Sequence, residues 1–259
     1  MKKASYIYLL FGLIFQFSVF AAKNFRFALF TDIHISILQP QNSEDLQFAV
    51  NEVNSNDKIQ FVLVTGDDTD LGDTASMKIA KKILDGLKIP YHITSGNHDT
   101  AQGKNGSANF IQFFGMDKFS FSANGFQFIG FPTGPLKPNQ KGHIATEDFE
   151  FVKAELIKLK PNESVFLITH YPLLEGDLDN RMEMIHLIKK YDVKAVLNGH
   201  YHRNAVLNYE GTPGIVNRST QREKQPYGGY TLYNLSDSLY VSEKIIGQPE
   251  REWLVIPLK

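Results

Sequence analysis

Short runs of apolar residues recur along the chain, and polar side chains follow each of them. Five runs have the length of short strands: residues 24–31, 61–64, 91–94, 165–169 and 193–197. In the first of them, apolar residues fall on both faces, which is typical of a central strand covered on both sides of a sheet. The pattern therefore predicts buried strands that each end in a polar cluster.

Between these runs, apolar residues recur at spacings of three and four, which predicts amphipathic helices. The first three helices are expected to be capped by Ser43, Thr74 and Thr146, and Pro90 is expected to end the second. Residues 180–191 are expected to form a fourth helix. Strands and helices thus alternate through the first three quarters of the chain.

After residue 202 the pattern changes to short strands separated by Gly, Pro, Asn and Ser. These strands are predicted at residues 205–207, 214–216, 230–233 and 239–241. An earlier hairpin is predicted at Asn124-Gly125, a dipeptide that favours a two-residue turn. Alternation followed by consecutive strands predicts an α/β fold, a four-layer αββα sandwich in which two stacked mixed sheets are flanked by helices.

The N-terminal segment has the three regions of a secretory signal. Two lysines precede a long apolar stretch, and small residues stand at the positions before a cut after Ala21. The alternative is an uncleaved membrane anchor, because residues 4–22 approach the ~20 residues that span a bilayer. We expect a signal peptide at 1–22, a single domain at 23–259, and an exported protein, periplasmic or secreted.

Composition excludes several classes of protein. The chain has no cysteine, so it has no disulfide framework, no thiol nucleophile and no zinc–thiolate site. Its net charge is −1, and removal of the signal segment leaves 25 basic against 28 acidic residues. No basic footprint of a nucleic-acid binder is present, so we expect no nucleic-acid partner.

The polar clusters that follow the runs carry carboxylate, carboxamide and imidazole groups. Two metal ions in a phosphoryl hydrolase need such oxygen and nitrogen ligands, with one carboxylate shared between them. In Asp-x-His and His-x-His, alternate residues of an extended backbone point to one side, so both side chains are expected to face one pocket. The candidate ligands are Asp32, His34, Asp67, Asn97, His170, His200 and His202.

The order Asp-x-His, Gly-Asp, Gly-Asn-His-Asp, His and Gly-His-x-His spans residues 32–202 and resembles the calcineurin-like metallophosphoesterase superfamily. The resemblance implies two metal sites, one held by Asp32, His34, Asp67 and His202, the other by Asp67, Asn97, His170 and His200. It also implies that His98 is not a ligand and instead protonates the leaving group. Asp70 would orient His98, with Asp99 as the alternative.

The implied activity is hydrolysis of a small phosphodiester or phosphomonoester, in which a metal-bridged hydroxide attacks phosphorus. The ligand types accept Mn, Fe or Zn. Two alternatives remain, a nuclease of the same superfamily and a protein that binds metal or phosphate without turnover. Contact with a membrane is expected only through the N-terminal segment, and the sequence indicates neither the oligomeric state nor the substrate.

Differences from the motifs of particular subfamilies make those subfamilies poor matches to this chain. Purple acid phosphatases have Gly in place of His34 and Tyr in place of Asp70, and phosphoprotein phosphatases have Arg in place of Leu71. Secreted nucleotidases carry a large second domain, whereas 57 residues follow His202, so we expect no such domain. The chain is most similar to small bacterial phosphodiesterases related to cyclic-nucleotide enzymes. His92, His143 and His186 lie in no motif and are expected to be ordinary core or surface residues.

Overall fold

The computed structural model describes residues 24–102, 105–135, 137, 140–161 and 163–258. The predicted signal peptide, residues 1–22, lies outside these ranges and stays a prediction. None of the helices in the described ranges combines the length and apolar character that a membrane crossing requires.

In the described part of the chain, twelve strands form two six-stranded sheets, and helices lie between the strands in sequence. The strands are β1 Phe25–Phe30, β2 Ile59–Thr65, β3 Tyr91–Thr94, β4 Phe119–Ala123, β5 Phe126–Gly130, β6 Ser164–Ile168, β7 Val193–Asn198, β8 Ala205–Tyr209, β9 Thr212–Val216, β10 Gly229–Leu235, β11 Ser238–Ile245 and β12 Arg251–Pro257. The helices are α1 Pro40–Asn54, α2 Thr74–Leu84, α3 Asn97–Thr100, α4 Gly106–Phe114, α5 Thr146–Ile157 and α6 Arg181–Ile188.

Both sheets are mixed. The first has the order β12-β11-β10-β1-β2-β3, in which β1, β2 and β3 are parallel and the other pairings are antiparallel. The second has the order β4-β5-β6-β7-β9-β8, in which the four central strands are parallel and the two edge strands are antiparallel. The parallel strands of each sheet therefore end at a common edge.

The two sheets face each other across an aromatic core. Phe27 of the first sheet stacks on Phe61 with ring centroids 5.0 Å apart, and its ring meets Phe128 of the second sheet edge-on at 5.5 Å. Side chains of α1, α2 and α4 cover the outer face of the first sheet, and those of α5 and α6 cover the outer face of the second. The predicted four-layer αββα sandwich is confirmed.

The Asn124-Gly125 hairpin is also confirmed. Both residues have positive φ, 51° and 87°, which is the backbone of a tight turn joining two antiparallel strands. Asn tolerates this conformation better than most residues, and Gly has no Cβ to hinder it.

The predicted helix caps are wrong. α1 begins at Pro40 rather than after Ser43, because proline's fixed φ and missing N–H suit the first helical turn. Thr74 and Thr146 are the first helical residues and not the caps. The cap of α2 is Asp73, whose carboxylate accepts hydrogen bonds from two N–H groups of the first turn, at 3.0 and 2.9 Å.

Helix lengths also differ from the prediction. α2 ends at Leu84, six residues before Pro90, and the carbonyl of Pro90 instead accepts the N–H of Val62 at the start of the β2–β3 pairing. α6 is shorter than the range predicted for it. The sequence pattern did not reveal α3, α4 or β12.

Candidate metal centre

The candidate ligands follow strands of both sheets. Asp32 follows β1, Asp67 follows β2, and Asn97 begins α3 after β3. His170 follows β6, while His200 and His202 follow β7. Because these strands are parallel within each sheet, their carboxyl ends lie at one edge, which is where open α/β sheets place binding sites.

Most of the candidate ligands have a left-handed backbone conformation, which directs their side chains toward one another. Five of the seven candidate ligands have positive φ, between 50° and 73°: Asp32, His34, Asp67, His200 and His202. The expectation that extended backbone pairs the side chains of Asp-x-His and His-x-His is therefore wrong. Tight turns point them inward instead, and hydrogen bonds hold those turns, such as His34 N–H to Asp67 O at 2.9 Å. Non-glycine residues are uncommon in this conformation, so surrounding structure must hold them there.

One cluster, the His202 group, consists of Asp32, His34 and His202. Their ligand atoms lie within 4.8 Å of one another. His202 Nε2 is 3.1 Å from Asp32 Oδ1 and 3.2 Å from His34 Nε2. Three potential donors therefore converge on one point.

A second cluster, the His170 group, consists of Asp67, His170 and His200, again within 4.8 Å of one another. His170 Nε2 lies 3.2 Å from Asp67 Oδ2 and 3.0 Å from Asn97 Oδ1. Asn97 thus joins this group.

Asp67 connects the two groups. Its Oδ2 atom is 3.2 Å from His170 Nε2 and 3.8 Å from His34 Nε2. Its Oδ1 atom accepts the N–H of His98 at 2.8 Å, which fixes the carboxylate plane. One carboxylate between two imidazole clusters is the arrangement expected of a dinuclear site.

Electrostatics within the cluster favour bound positive charge. Burial raises the pKa of Asp67, but the charge of His170, the hydrogen bond with it and the charge of His34 act together to hold the pKa below its usual range. Burial lowers the pKa of His170, but the charge and hydrogen bond of Asp67, together with the charge of Asp32, raise it to about 9. Burial similarly lowers the pKa of His202, and its contacts with Asp32 and Glu223 together raise it to about 9. Burial, and then the charge of His170, lowers the pKa of His200 to about 4.

The donor set therefore fits two cations. Asp32 and Asp67 are completely or almost completely buried, so their ionised forms require compensating charge nearby. Without cations, only protons on the surrounding imidazoles can supply it. Nitrogen and oxygen donors without thiolate suit transition metals of borderline softness.

His98 stands at the exposed side of the centre. Its Nδ1 contacts the backbone carbonyl of Asp70 at 2.8 Å, and the Asp70 carboxylate is farther away, at 3.5 Å. That carboxylate also lies 3.6 Å from His34 Nδ1, a contact that lowers the pKa of Asp70. His98, His34 and Asp67 also place ligand atoms within 4.8 Å of one another, so distance alone does not separate an acid from a ligand at position 98.

Asp99 joins loops rather than orienting His98. Its carboxylate accepts the N–H groups of Asp68, Thr69 and Gly96, at 3.1, 2.9 and 2.9 Å. These bonds link the loop after β2 to the loop after β3, and so set the distance between Asp67 and Asn97.

Two carboxylates that lie near the histidines of the centre could not be recognised from the sequence pattern. Glu223 hydrogen-bonds His202 Nδ1, on the side of the ring away from Asp32. Asp177 accepts the Tyr201 hydroxyl at 2.5 Å and lies 3.9 Å from His200 Nε2. Both lie in loops more than twenty residues from their partners, outside any periodic pattern. Carboxylates commonly orient metal-binding histidines in this way.

The histidines expected to be ordinary lie outside these clusters. His92 stacks on Phe121 with ring centroids 3.7 Å apart, and His143 pairs with Asp179 at 2.7 Å. His186 lies on the exposed side of α6.

Comparison with known proteins agrees with this geometry. The chain is 27% identical to a probable glycerophosphodiester phosphodiesterase of Arcobacter nitrofigilis over 159 residues, which are 56% of this chain and 58% of that protein. It is 28% identical to a probable cyclic nucleotide phosphodiesterase of Vesicomyosocius okutanii over 193 residues, 70% of this chain and 79% of the relative. The alignment with the first of these relatives thus spans less than two thirds of its length.

Solved structures share the fold. A dimetal phosphatase from Danio rerio superposes with a TM-score of 0.70 at 14% identity, over 91% of this chain and 99% of that one. A purple acid phosphatase from yellow lupin seeds superposes with a TM-score of 0.67 at 15% identity, over 91% of this chain and 54% of that one.

The family assignment comes from a match that extends over more than half of the chain. Residues 25–204, which are 180 of the 259 positions, match the sequence model of the calcineurin-like phosphoesterases and include every candidate ligand. The chain belongs to the calcineurin-like phosphoesterase family.

Proposed function

We propose that this protein is a dinuclear-metal-dependent hydrolase of small phosphate esters, a phosphodiesterase or a phosphomonoesterase. The observation that carries the proposal is the position of Asp67, whose Oδ2 atom lies between His170 and His34. The names of the relatives, which include phosphodiesterases, support the reaction class.

In this proposal each group holds one cation. Asp32, His34, Asp67 and His202 hold the first, and Asp67, Asn97, His170 and His200 hold the second. Bound cations would lower the pKa of a coordinated water and neutralise charge on the phosphate. The donor set accepts Mn, Fe or Zn.

Neighbouring groups fix which ring nitrogen each histidine offers. His170 Nδ1 donates to the carbonyl of Thr65 at 2.9 Å, so Nε2 is the ring nitrogen that faces Asp67. His202 Nδ1 donates to Glu223, so its Nε2 faces Asp32. Such contacts fix the orientation of each ring before the cation arrives, so that Nε2 becomes the donor atom once its proton is displaced.

His98 has the position of a general acid. Its Nδ1 donates to the Asp70 carbonyl, so Nε2 is the atom free to face a substrate. A protonated imidazole there would donate from Nε2 to the leaving oxygen, and the Asp70 carboxylate at 3.5 Å would stabilise its positive charge. A positioned general acid contributes typically about 10²–10⁴-fold to the rate.

Export also belongs to the proposal. The two lysines, the apolar stretch and the alanines before Lys23 support removal of residues 1–22 and release into the periplasm or medium. Mass spectrometry of the mature protein is expected to find an N-terminus near Ala22 or Lys23. Recovery of intact Met1 in membranes would favour an anchor.

The activity is tested by metal removal and return. Chelation followed by desalting is expected to abolish hydrolysis of bis(4-nitrophenyl) phosphate and of 4-nitrophenyl phosphate, and Mn, Fe or Zn is expected to restore at least one of the two. Turnover that persists in protein shown by elemental analysis to be free of metal would overturn the proposal. Absence of turnover in fully loaded protein would favour a binding protein.

A further inference from the structure

A cavity of about 490 Å³ adjoins His202 on the side away from the metal centre. Its walls come from the residues after β7 and β9 and from β11. The imidazole of His202 forms part of the boundary, because its Nε2 faces Asp32 while its Nδ1 faces Glu223, which also lines the cavity. A substrate held at the metal centre is therefore next to this cavity.

The cavity has an excess of basic side chains. It is lined by four cations, Arg203, Arg218, Arg222 and Lys224, and by two carboxylates, Glu223 and Glu243. Both carboxylates are engaged, because Glu223 contacts His202 and Glu243 Oε1 lies 3.1 Å from Arg218 Nε. The lining residues themselves therefore carry a formal excess of two positive charges, in a protein whose net charge is −1.

Two of the four cations are available to a ligand. Arg222 is held by the Asp45 carboxylate at 2.9 Å. In the part of the chain that the structure describes, neither Arg203 nor Lys224 pairs with a carboxylate; Arg203 lies 5.6 Å from the ring of Tyr201. Both side chains belong to exposed residues and can turn toward the cavity.

Arg218 adds a fixed positive charge. Its side chain is 9% exposed, and its Nη1 atom has no hydrogen-bond partner among the described residues. Because Nη1 is completely buried, a ligand in the cavity does not contact this atom, and Arg218 contributes only its positive charge, which the Glu243 carboxylate partly offsets.

The opposite side of the metal centre differs. A smaller cavity of about 260 Å³ adjoins His200, and its lining includes Tyr171 and Asp177. Among the described residues that line it, Lys141 is the one cation apart from His200. The two sides of the centre therefore offer different surroundings to the two substituents of a phosphodiester.

We propose that the cavity beside His202 binds a second anionic group of the substrate, a carboxylate or phosphate carried by one alcohol portion of a phosphodiester. This inference rests on the proposed function and specifies its substrate class. Arg203 and Lys224 are the residues that determine the preference, and Arg218 supports them from behind. Arginine's fork of N–H donors matches either anion.

The test compares two substrates that differ only in that group. Both are 4-nitrophenyl phosphodiesters, one of 3-hydroxypropanoate and the other of its carboxamide, so the leaving group and shape are the same. The loaded wild-type protein is expected to prefer the carboxylate by roughly tenfold in kcat/KM, the ratio expected of one charge-assisted contact. Arg203→Gln with Lys224→Gln is expected to bring the ratio close to one, because kcat/KM for the carboxylate substrate falls by roughly tenfold. Lys141→Gln, in the other cavity, is the matched control and should keep the preference.

Binding separates this inference from the proposed function. Calorimetry on the methylphosphonate analogues of both compounds, with cations present, reads the same ratio as Kd without requiring turnover. A carboxylate preference that the double variant abolishes supports the inference even if no hydrolysis occurs. Equal affinities in the wild type, or a preference that the double variant retains, would overturn it while leaving the phosphoesterase proposal intact.

Discussion

Asp67 and His170 are in direct contact, with Oδ2 3.2 Å from Nε2, although their strands belong to different sheets. Asp67 follows β2 of the first sheet, and His170 follows β6 of the second. His170 Nδ1 also contacts the carbonyl of Thr65, at the end of β2. The candidate metal centre therefore lies where the carboxyl edges of the two sheets meet.

Replacement of His98 tests whether this residue is a general acid or a metal ligand. His98→Ala is expected to keep both cations and to lose roughly 10²–10⁴ in kcat, most of all with poor leaving groups, because those need protonation. Elemental analysis and a series of aryl phosphodiesters measure the two effects. His143→Ala, an exposed histidine outside the centre, is the control. Loss of a cation from the His98 variant would show that this residue is a ligand.

Glu223 is expected to orient His202. Glu223→Ala removes the acceptor of the Nδ1 proton, so the cation of the His202 group should bind about 10–100-fold more weakly. Glu223→Gln, which retains an acceptor oxygen, should recover part of this loss. Calorimetric titration of metal-free protein measures both variants. Equal affinities in wild type and Glu223→Ala would show that the contact does not position the ring.

Metal binding is expected to release protons. The pKa values of about 9 for His170 and His202 apply to metal-free protein, so both imidazoles are doubly protonated and cationic at pH 7. A metal ion must displace one proton from each ring in order to bind. Titration in two buffers of different ionisation enthalpy should therefore report at least two protons released per chain, since the hydrogen bond with Asp70 also raises the pKa of the ligand His34 against its burial. Affinity should rise with pH up to about 9. Binding without proton release would contradict this assignment of charge.

His92 should contribute to acid sensitivity. Burial lowers its pKa to about 4, so the folded state resists protonation that the unfolded state accepts near pH 6.5. The contribution of His92 to the free energy of unfolding is therefore constant above pH 6.5, and it falls as the pH drops from 6.5 toward 4. Denaturant unfolding of chelated His92→Phe is expected to show a shallower fall than wild type across that window. His186→Gln, on an exposed face, is the control; an unchanged slope in His92→Phe would refute the prediction.

Local patterns predicted much of the fold. The apolar runs located the strands that carry the ligands, and Asn124-Gly125 located a turn, because both signals depend on neighbouring residues. Strand order could not be read in this way. β10 lies beside β1 although about 200 residues separate them, and this pairing depends on contacts such as Phe27 against Tyr233. β12 was missed because its side chains are half-buried or exposed, without a clear alternation.

The residue types in the motifs predicted which side chains lie together in the site, but not the backbone conformations that bring them together. The ligands meet through left-handed turns, as at Asp67 and His202, and no pattern of apolar residues reports φ. Glu223 and Asp177 were missed because each reaches its histidine across a loop. The cation-lined cavity was missed for the same reason, since Arg203 and Arg218 come together only in the folded chain.

The central claim is that Asp67 is shared by two cations, and metal stoichiometry tests it most directly. Wild-type protein loaded with Mn or Zn and freed of excess metal is expected to hold two cations per chain. Asp67→Ala should lose both cations and activity together, whereas Asp179→Ala, a carboxylate outside the centre, should retain both. A single cation in the wild type, or two cations and full turnover in Asp67→Ala, would contradict the account.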